Sequence, residues 1–177
     1  MNAVDVGRAH LRVARPSDDL DGVVRFYRDG LGLAELYRFE DHDGFDGVML
    51  GSPDGTYHFE FTRKAGHRAG RAPTEDNLLV FYLPDADAYA QAIARLRRAG
   101  HAPVKSFNPY WDVRGTTFED PDGYRLVLQH APWDLDPGAR PTTRLRARSA
   151  RPSASEPGVG TRTGRARRGR GSDLSID

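Results

Sequence analysis

The stretch Phe118-Glu119-Asp120-Pro121-Asp122-Gly123-Tyr124-Arg125-Leu126-Val127-Leu128-Gln129 joins a turn to a strand. Pro presets the backbone angle of a turn, Asp bonds back to its own main chain, and Gly accepts a left-handed angle. The apolar run after it reads as a buried strand, Arg125 to His130. The same Pro-Asp-Gly recurs at Pro53-Asp54-Gly55, where it opens onto Tyr57 to Thr62, a second strand. A shared signature ahead of two strands points to an internal repeat.

Working outward, each copy carries the same order of elements. In the first half, a short strand ending His10-Leu11-Arg12-Val13 leads to a helix over about 19–31. Leu20, Val23, Val24, Tyr27 and Leu31 give that helix an apolar stripe. Asp18 or Asp19 is placed to cap it, and Gly30 and Gly32 to end it. Strands are expected near 34–39, 47–50 and 57–62. In the second half, a strand at 78–83 precedes a helix over about 87–99, whose Tyr89, Ala92, Ile93 and Leu96 share one face and which Gly100 closes. Strands follow near 103–107, 116–119 and 125–130. Each half is βαβββ. A lone unit of this kind cannot hide its sheet face, so the two must pair.

Composition sets the bounds. The chain has 177 residues, 38% hydrophobic and 29% charged, and no cysteine. Disulfides and thiolate chemistry are thereby excluded, and a reducing cytoplasm is the expected compartment. No apolar run of about 18 residues suggests a membrane span, and the first ten residues lack the apolar core of a secretory signal. The net charge of +1 divides unevenly. Residues 138–177 hold ten Arg against Glu156, Asp173 and Asp177, a charge of +7 that leaves −6 on residues 1–137. The expected organisation is one domain over 1–137, with modules at about 8–66 and 75–133. Residues 138–177 form a disordered tail, basic and rich in Arg, Gly, Ser and Pro. Such a tail is suited to contact nucleic acid or other polyanions, or to remain a solvated extension.

Two motifs inside this repeat carry a family resemblance. Phe26-Tyr27-Arg28-Asp29-Gly30-Leu31-Gly32-Leu33 resembles the end of the first helix in the vicinal-oxygen-chelate superfamily of glyoxalases, bleomycin-resistance proteins and dioxygenases. Phe118 to Gly123 resembles the turn before that superfamily's last strand. The likeness spans about Ala9 to Trp133. It implies an α+β fold of two tandem βαβββ modules pairing into a curved mixed-sheet cup, in many relatives a homodimer. It also implies a divalent metal held by four side chains, from the first and fourth strands of each module.

Carried onto this chain, the first-strand ligand position of module one falls on His10 and the fourth-strand position on Glu60. Both suit Zn, Fe, Mn or Ni. In module two the same positions fall on Leu78 and Val127, which bind no metal. Strand alternation places Arg12, His58, Val80, Tyr82, Arg125 and Gln129 on the cup faces with them. Arg12 and Arg125 are suited to grip a carboxylate or phosphate, or to pair with Glu60 and other acids. Tyr110 and Trp111, in the loop after Phe107, are suited to stack on a planar ligand or to close the module's own core.

The resemblance thus implies a small-molecule binder whose cup lies between the modules and lacks half the usual ligand set, with no cofactor expected. The alternative it leaves open is a metal-dependent lyase, isomerase or dioxygenase using His10, Glu60 and a third ligand such as His58. No nucleophile elbow, phosphate loop or HExxH motif points elsewhere.

Overall fold

The computed structural model describes residues 5–133. The expected basic tail lies outside the described residues. Each module forms its own four-stranded mixed sheet. Module one contributes β1 (Leu11–Pro16), β2 (Ala34–His42), β3 (Phe45–Gly51) and β4 (Tyr57–Lys64). Module two contributes β5 (Leu78–Tyr82), β6 (Pro103–Val104), β7 (Gly115–Glu119) and β8 (Arg125–Gln129). The strand orders are β1-β4-β3-β2 and β5-β8-β7-β6. In both sheets the first strand runs parallel to the fourth and the others are antiparallel. The repeat is therefore structural. The parallel pair exists because a helix carries the chain across the sheet between the first and second strands.

The first helix, α1 (Leu20–Val24), continues without a break into a π-helical turn over Arg25–Leu31. Asp19 caps it by accepting from the Gly22 backbone N–H at 2.8 Å. Gly32, at φ 103°, ends it with its N–H on the Tyr27 carbonyl. The second helix, α2 (Ala86–Arg98), is capped by Asp85. One expectation fails here. The strand expected over 103–107 stops at Val104, because Asn108 accepts from the Tyr110 N–H and starts a 3₁₀ turn over Pro109–Asp112.

The apolar faces of both sheets and both helices share one core. Leu20, Val23, Phe26, Tyr27, Val48, Leu50, Phe59 and Phe61 from module one meet Leu96, Phe118, Leu126 and Leu128 from module two. At its centre is a polar junction. The Tyr27 hydroxyl donates to Asp120 Oδ2 at 2.7 Å and accepts from Arg15 Nη2 at 2.8 Å. The Arg15 guanidinium lies 3.8 Å from the same carboxylate and 4.2 Å above the Tyr124 ring. Asp120 Oδ1 accepts from the backbone N–H of Asp122 and Tyr124. Burial pushes the Asp120 carboxyl up from its ordinary value, while Tyr27, the two backbone amides and Arg15 pull it down. Tyr27 and Asp120 come from the two motifs that carried the resemblance. Each motif completes the other.

Two predictions follow from this core. Tyr27→Phe should cost about 1–3 kcal/mol, the usual penalty for a buried acceptor stripped of a donor, read as a lower urea midpoint at an unchanged m-value. His101 packs edge-on against Phe26, and its buried Nε2 has no partner. Burial, with the nearby Arg25 charge, holds its pKa below the ordinary imidazole value. Below about pH 6.5 the unfolded chain takes up a proton that the folded chain resists, so stability falls as the medium is acidified. Urea unfolding at pH 7.5 and 5.5 should show this loss reduced in His101→Gln.

Candidate functional site

The faces of the two sheets that turn away from the shared core differ sharply in chemistry. On module one, β1 and β4 run in register with Arg12 opposite His58 and Ala14 opposite Glu60, and β3 sets Met49 opposite Glu60. Alternation puts Arg12, His58 and Glu60 on one face. There they form a bonded chain. Arg12 Nε donates to His58 Nε2 at 2.8 Å, and Arg12 Nη1 donates to Glu60 Oε2 at 3.2 Å. His10 Nε2 sits 2.6 Å from His58 Nδ1.

These contacts fix proton positions. Arg has no acceptor, so His58 Nε2 must offer a lone pair, and the His58 proton must then sit on Nδ1. Nδ1–H donates to His10 Nε2, which leaves the His10 proton on its own Nδ1. Burial lowers the His58 pKa from its ordinary value, and the Arg12 charge lowers it further, while Glu60 opposes them. A neutral imidazole is the form that this geometry uses.

On module two, Leu78 pairs with Arg125 and Val80 with Val127. Val127 is fully buried and puts an apolar side chain at the centre of this face, with Thr117 opposite it. Arg125 is buried too, and it is held by carboxylates of its own chain, Glu75 and Glu119, each at 3.0 Å. Arg71 reaches Glu119 at 2.6 Å. Arg12 and Arg125 therefore belong to separate ion-pair clusters. Gln129 is buried against Gly115, whose position also meets the Trp111 carbonyl. Ser106 bonds Thr117 from the same loop. The segment 105–112 thus lies over this face, with Trp111 half-buried and Tyr110 exposed, their rings edge-on at 5.0 Å. Tyr82 lies opposite Gln129 on the edge strand β5. It packs on Trp133 at 5.1 Å and lines an apolar groove of about 290 Å³ with Leu11, Val13, Tyr57 and Phe81.

The structure thus gathers His10, Arg12, His58 and Glu60 into one cluster and distributes Tyr82, Tyr110, Trp111, Arg125 and Gln129 over other surroundings. It also corrects one correspondence. Since His58 and Glu60 match Arg125 and Val127 in the repeat, the strand registers make Arg12, not His10, the counterpart of Leu78. His10 precedes β1 and reaches forward to His58. Met49, Glu75 and Glu119 escaped the sequence reading. Glu119 was within reach, because it lies directly opposite Arg125 and alternation aims both at one face. Glu75 sits in an irregular segment without periodicity.

A resident divalent metal would have to be held by these donors. A catalytic zinc takes three protein ligands. Among the described residues, no group of three or more His, Asp or Glu is placed to hold an ion. The His58 Nε2 lone pair and Glu60 Oε2 are already engaged by Arg12, and Leu78 and Val127 offer nothing. The residues present do not fit the metal.

Residues 11–62 match the YycE-like N-terminal domain, and residues 76–130 match the YycE-like C-terminal domain. The chain belongs to the YycE-like family. It is 45% identical to the uncharacterised protein YycE of Bacillus subtilis over 123 residues, which cover 70% of this chain and 88% of that one. The crystal structure of a Bacillus subtilis YycE protein of unknown function aligns at a TM-score of 0.68 with 43% identity, covering 73% of this chain and 94% of that one. More distant structures share the fold alone. The trypanothione-dependent glyoxalase I of Leishmania major aligns at 0.55 with 20% identity, covering 70% and 87% of the two chains. The fosfomycin resistance protein FosX of Mesorhizobium loti aligns at 0.52 with 16% identity, covering 75% and 94%. This YycE-like chain therefore has the vicinal-oxygen-chelate fold.

The proton assignment is directly measurable. Two-dimensional ¹H–¹⁵N NMR of the imidazoles at pH 7.5 should show His58 protonated at Nδ1 with Nε2 bare. In Arg12→Ala the donor that selects this form is gone, and the spectrum should move toward a mixture of tautomers.

Proposed function

We propose that this YycE-like protein binds a small molecule in the cup between its two modules and does so without a complete catalytic metal site. The observation that carries the reading is the pair Leu78 and Val127. The resemblance puts module two's first- and fourth-strand ligand positions on these residues, which share a face with Arg125 and Gln129, and neither has a lone pair to give. Module one adds polarity without a free ligand set, since Arg12 already holds its imidazole and carboxylate. Binding rather than metal chemistry suits a face whose imidazole and carboxylate are already engaged, because a ligand pocket needs only a few placed polar groups to orient what it holds. In keeping with the resemblance, the functional unit is proposed to be a cytoplasmic homodimer. No helix among the described residues is long and apolar enough to cross a membrane.

A thermal-shift screen of the purified chain against antibiotics and small carboxylates, paired with elemental analysis, tests the proposal. A ligand present at about 100 times its Kd should raise stability by about 2.7 kcal/mol, visible as a rise in Tm in metal-stripped buffer. The opposite result is about one equivalent of Fe, Mn, Ni or Zn that copurifies and is lost in Glu60→Ala. That result would replace the binder with the metal-dependent lyase, isomerase or dioxygenase. Light scattering on the same sample should give twice the mass of the chain.

A further inference from the structure

We infer that the Arg12 guanidinium is a built-in cation, seated where a divalent metal would sit between the first and fourth strands of module one. The inference rests on reading the cup as metal-free and says what takes the metal's place. Three observations carry it.

The first is position. The strand registers equate Arg12 with Leu78, which is module two's first-strand ligand position. The cation is therefore planted on the strand residue from which a ligating side chain would come.

The second is convergence. His58 Nε2 and Glu60 Oε2 approach one guanidinium at 2.8 and 3.2 Å, and the Met49 sulfur lies 3.9 Å from its Nη2. Imidazole nitrogen and carboxylate oxygen are metal-ligand chemistry, yet here both lone pairs are spent on N–H donors. The Glu60 side chain is only 13% exposed and Arg12 is its ion-pair partner, whereas the Arg12 side chain is 49% exposed. A carboxylate so covered needs a positive charge against it, and Arg12 supplies that charge from the open side.

The third is the other copy of the repeat. Where Arg12 is replaced by Leu78, Glu60 is replaced by Val127. At these two positions cation and carboxylate are present together in module one and absent together in module two, where the Arg125 pairs sit at other positions. An arginine present only for solubility would not be tied in this way to a largely covered acid across the strand pair.

If Arg12 fills a cation's seat, exchanging it for a ligand should open the seat to a metal. Arg12→His would set a third donor beside His58 and Glu60. The full 177-residue chain is titrated with Ni²⁺ by calorimetry, with circular dichroism confirming the fold of each variant. Arg12→His is expected to bind at least about tenfold more tightly than wild type, reaching the three-ligand count of catalytic sites. Arg12→Ala, which frees two donors without adding one, should gain by a smaller factor and serves if the His variant does not fold. Arg12→Lys, which keeps a cation in place, should stay near wild type. Adding Glu60→Gln to Arg12→His should abolish the gain. The inference is overturned if neither Arg12→His nor Arg12→Ala gains affinity, if Arg12→Lys gains as much, or if the gain survives Glu60→Gln. A wild-type chain that shifted with no compound in the thermal screen would remove the binding proposal and leave this one standing.

Discussion

The hydrogen bond from Tyr27 to Asp120 is the contact on which the two-module arrangement turns. Tyr27 belongs to the helical segment of module one, and Asp120 begins the Asp-Pro-Asp-Gly turn of module two. Neither group is tolerable in the core alone. A buried phenol needs a partner, and a buried carboxylate needs several. Asp120 finds them in Tyr27, Arg15 and two backbone amides of its own turn. The turn is thus held against α1, where Pro121 reaches the space that a side chain at position 22 would require. Docking the turn fixes where β8 starts, and β8 is the strand that carries Arg125, Val127 and Gln129. Core and cup share one registration point.

From that common frame the two modules have diverged in what they display. Module one keeps a polar chain from His10 through His58 and Arg12 to Glu60. Module two has an apolar side chain, Val127, at the centre of its face, flanked by a neutralised Arg125 and covered by its own loop through Ser106 and Trp111. The loop can do this because its strand breaks off at Val104 and Asn108 starts a turn. Two halves of like topology need only matched inward faces to stay paired. Their outward faces are free to specialise, and here they have done so in opposite directions.

Much of the fold was legible in the sequence because periodicity and turn chemistry act locally. The βαβββ order and the Asp19 cap follow from residues close together in the chain, while Gly32 at positive φ ends the first helix in keeping with its neighbours. The pairing of the two motifs was not legible, since nothing local says that Tyr27 and Asp120, 93 residues apart, share a proton. The candidate site was half legible for the same reason. Alternation put Arg12, His58 and Glu60 on one face, but only the parallel register of β1 with β4 decides which first-strand residue matches Leu78. Carrying the family's first-strand position along the sequence lands on His10, whereas the register gives that position to Arg12 and leaves His10 ahead of β1. The ion-pair partners of Arg125 divide similarly, with Glu119 predictable from its cross-strand seat and Glu75 hidden in irregular chain.

A tethered guanidinium and a metal ion solve the same electrostatic problem with different consequences. Both neutralise a covered carboxylate and order an imidazole. A metal is a concentrated charge with open coordination sites, able to polarise a bound oxygen and lower its pKa. A guanidinium spreads its charge over a plane, stays protonated at all relevant pH, and interacts through N–H groups with fixed directions. It is also present at every metal concentration, because it is covalently part of β1. With one N–H on His58 and another on Glu60, Arg12 has donors left on its exposed side, and those can meet a ligand oxygen but cannot activate water as a Lewis acid does. An imidazole and a carboxylate joined through an arginine keep their order and their charge balance without an ion between them.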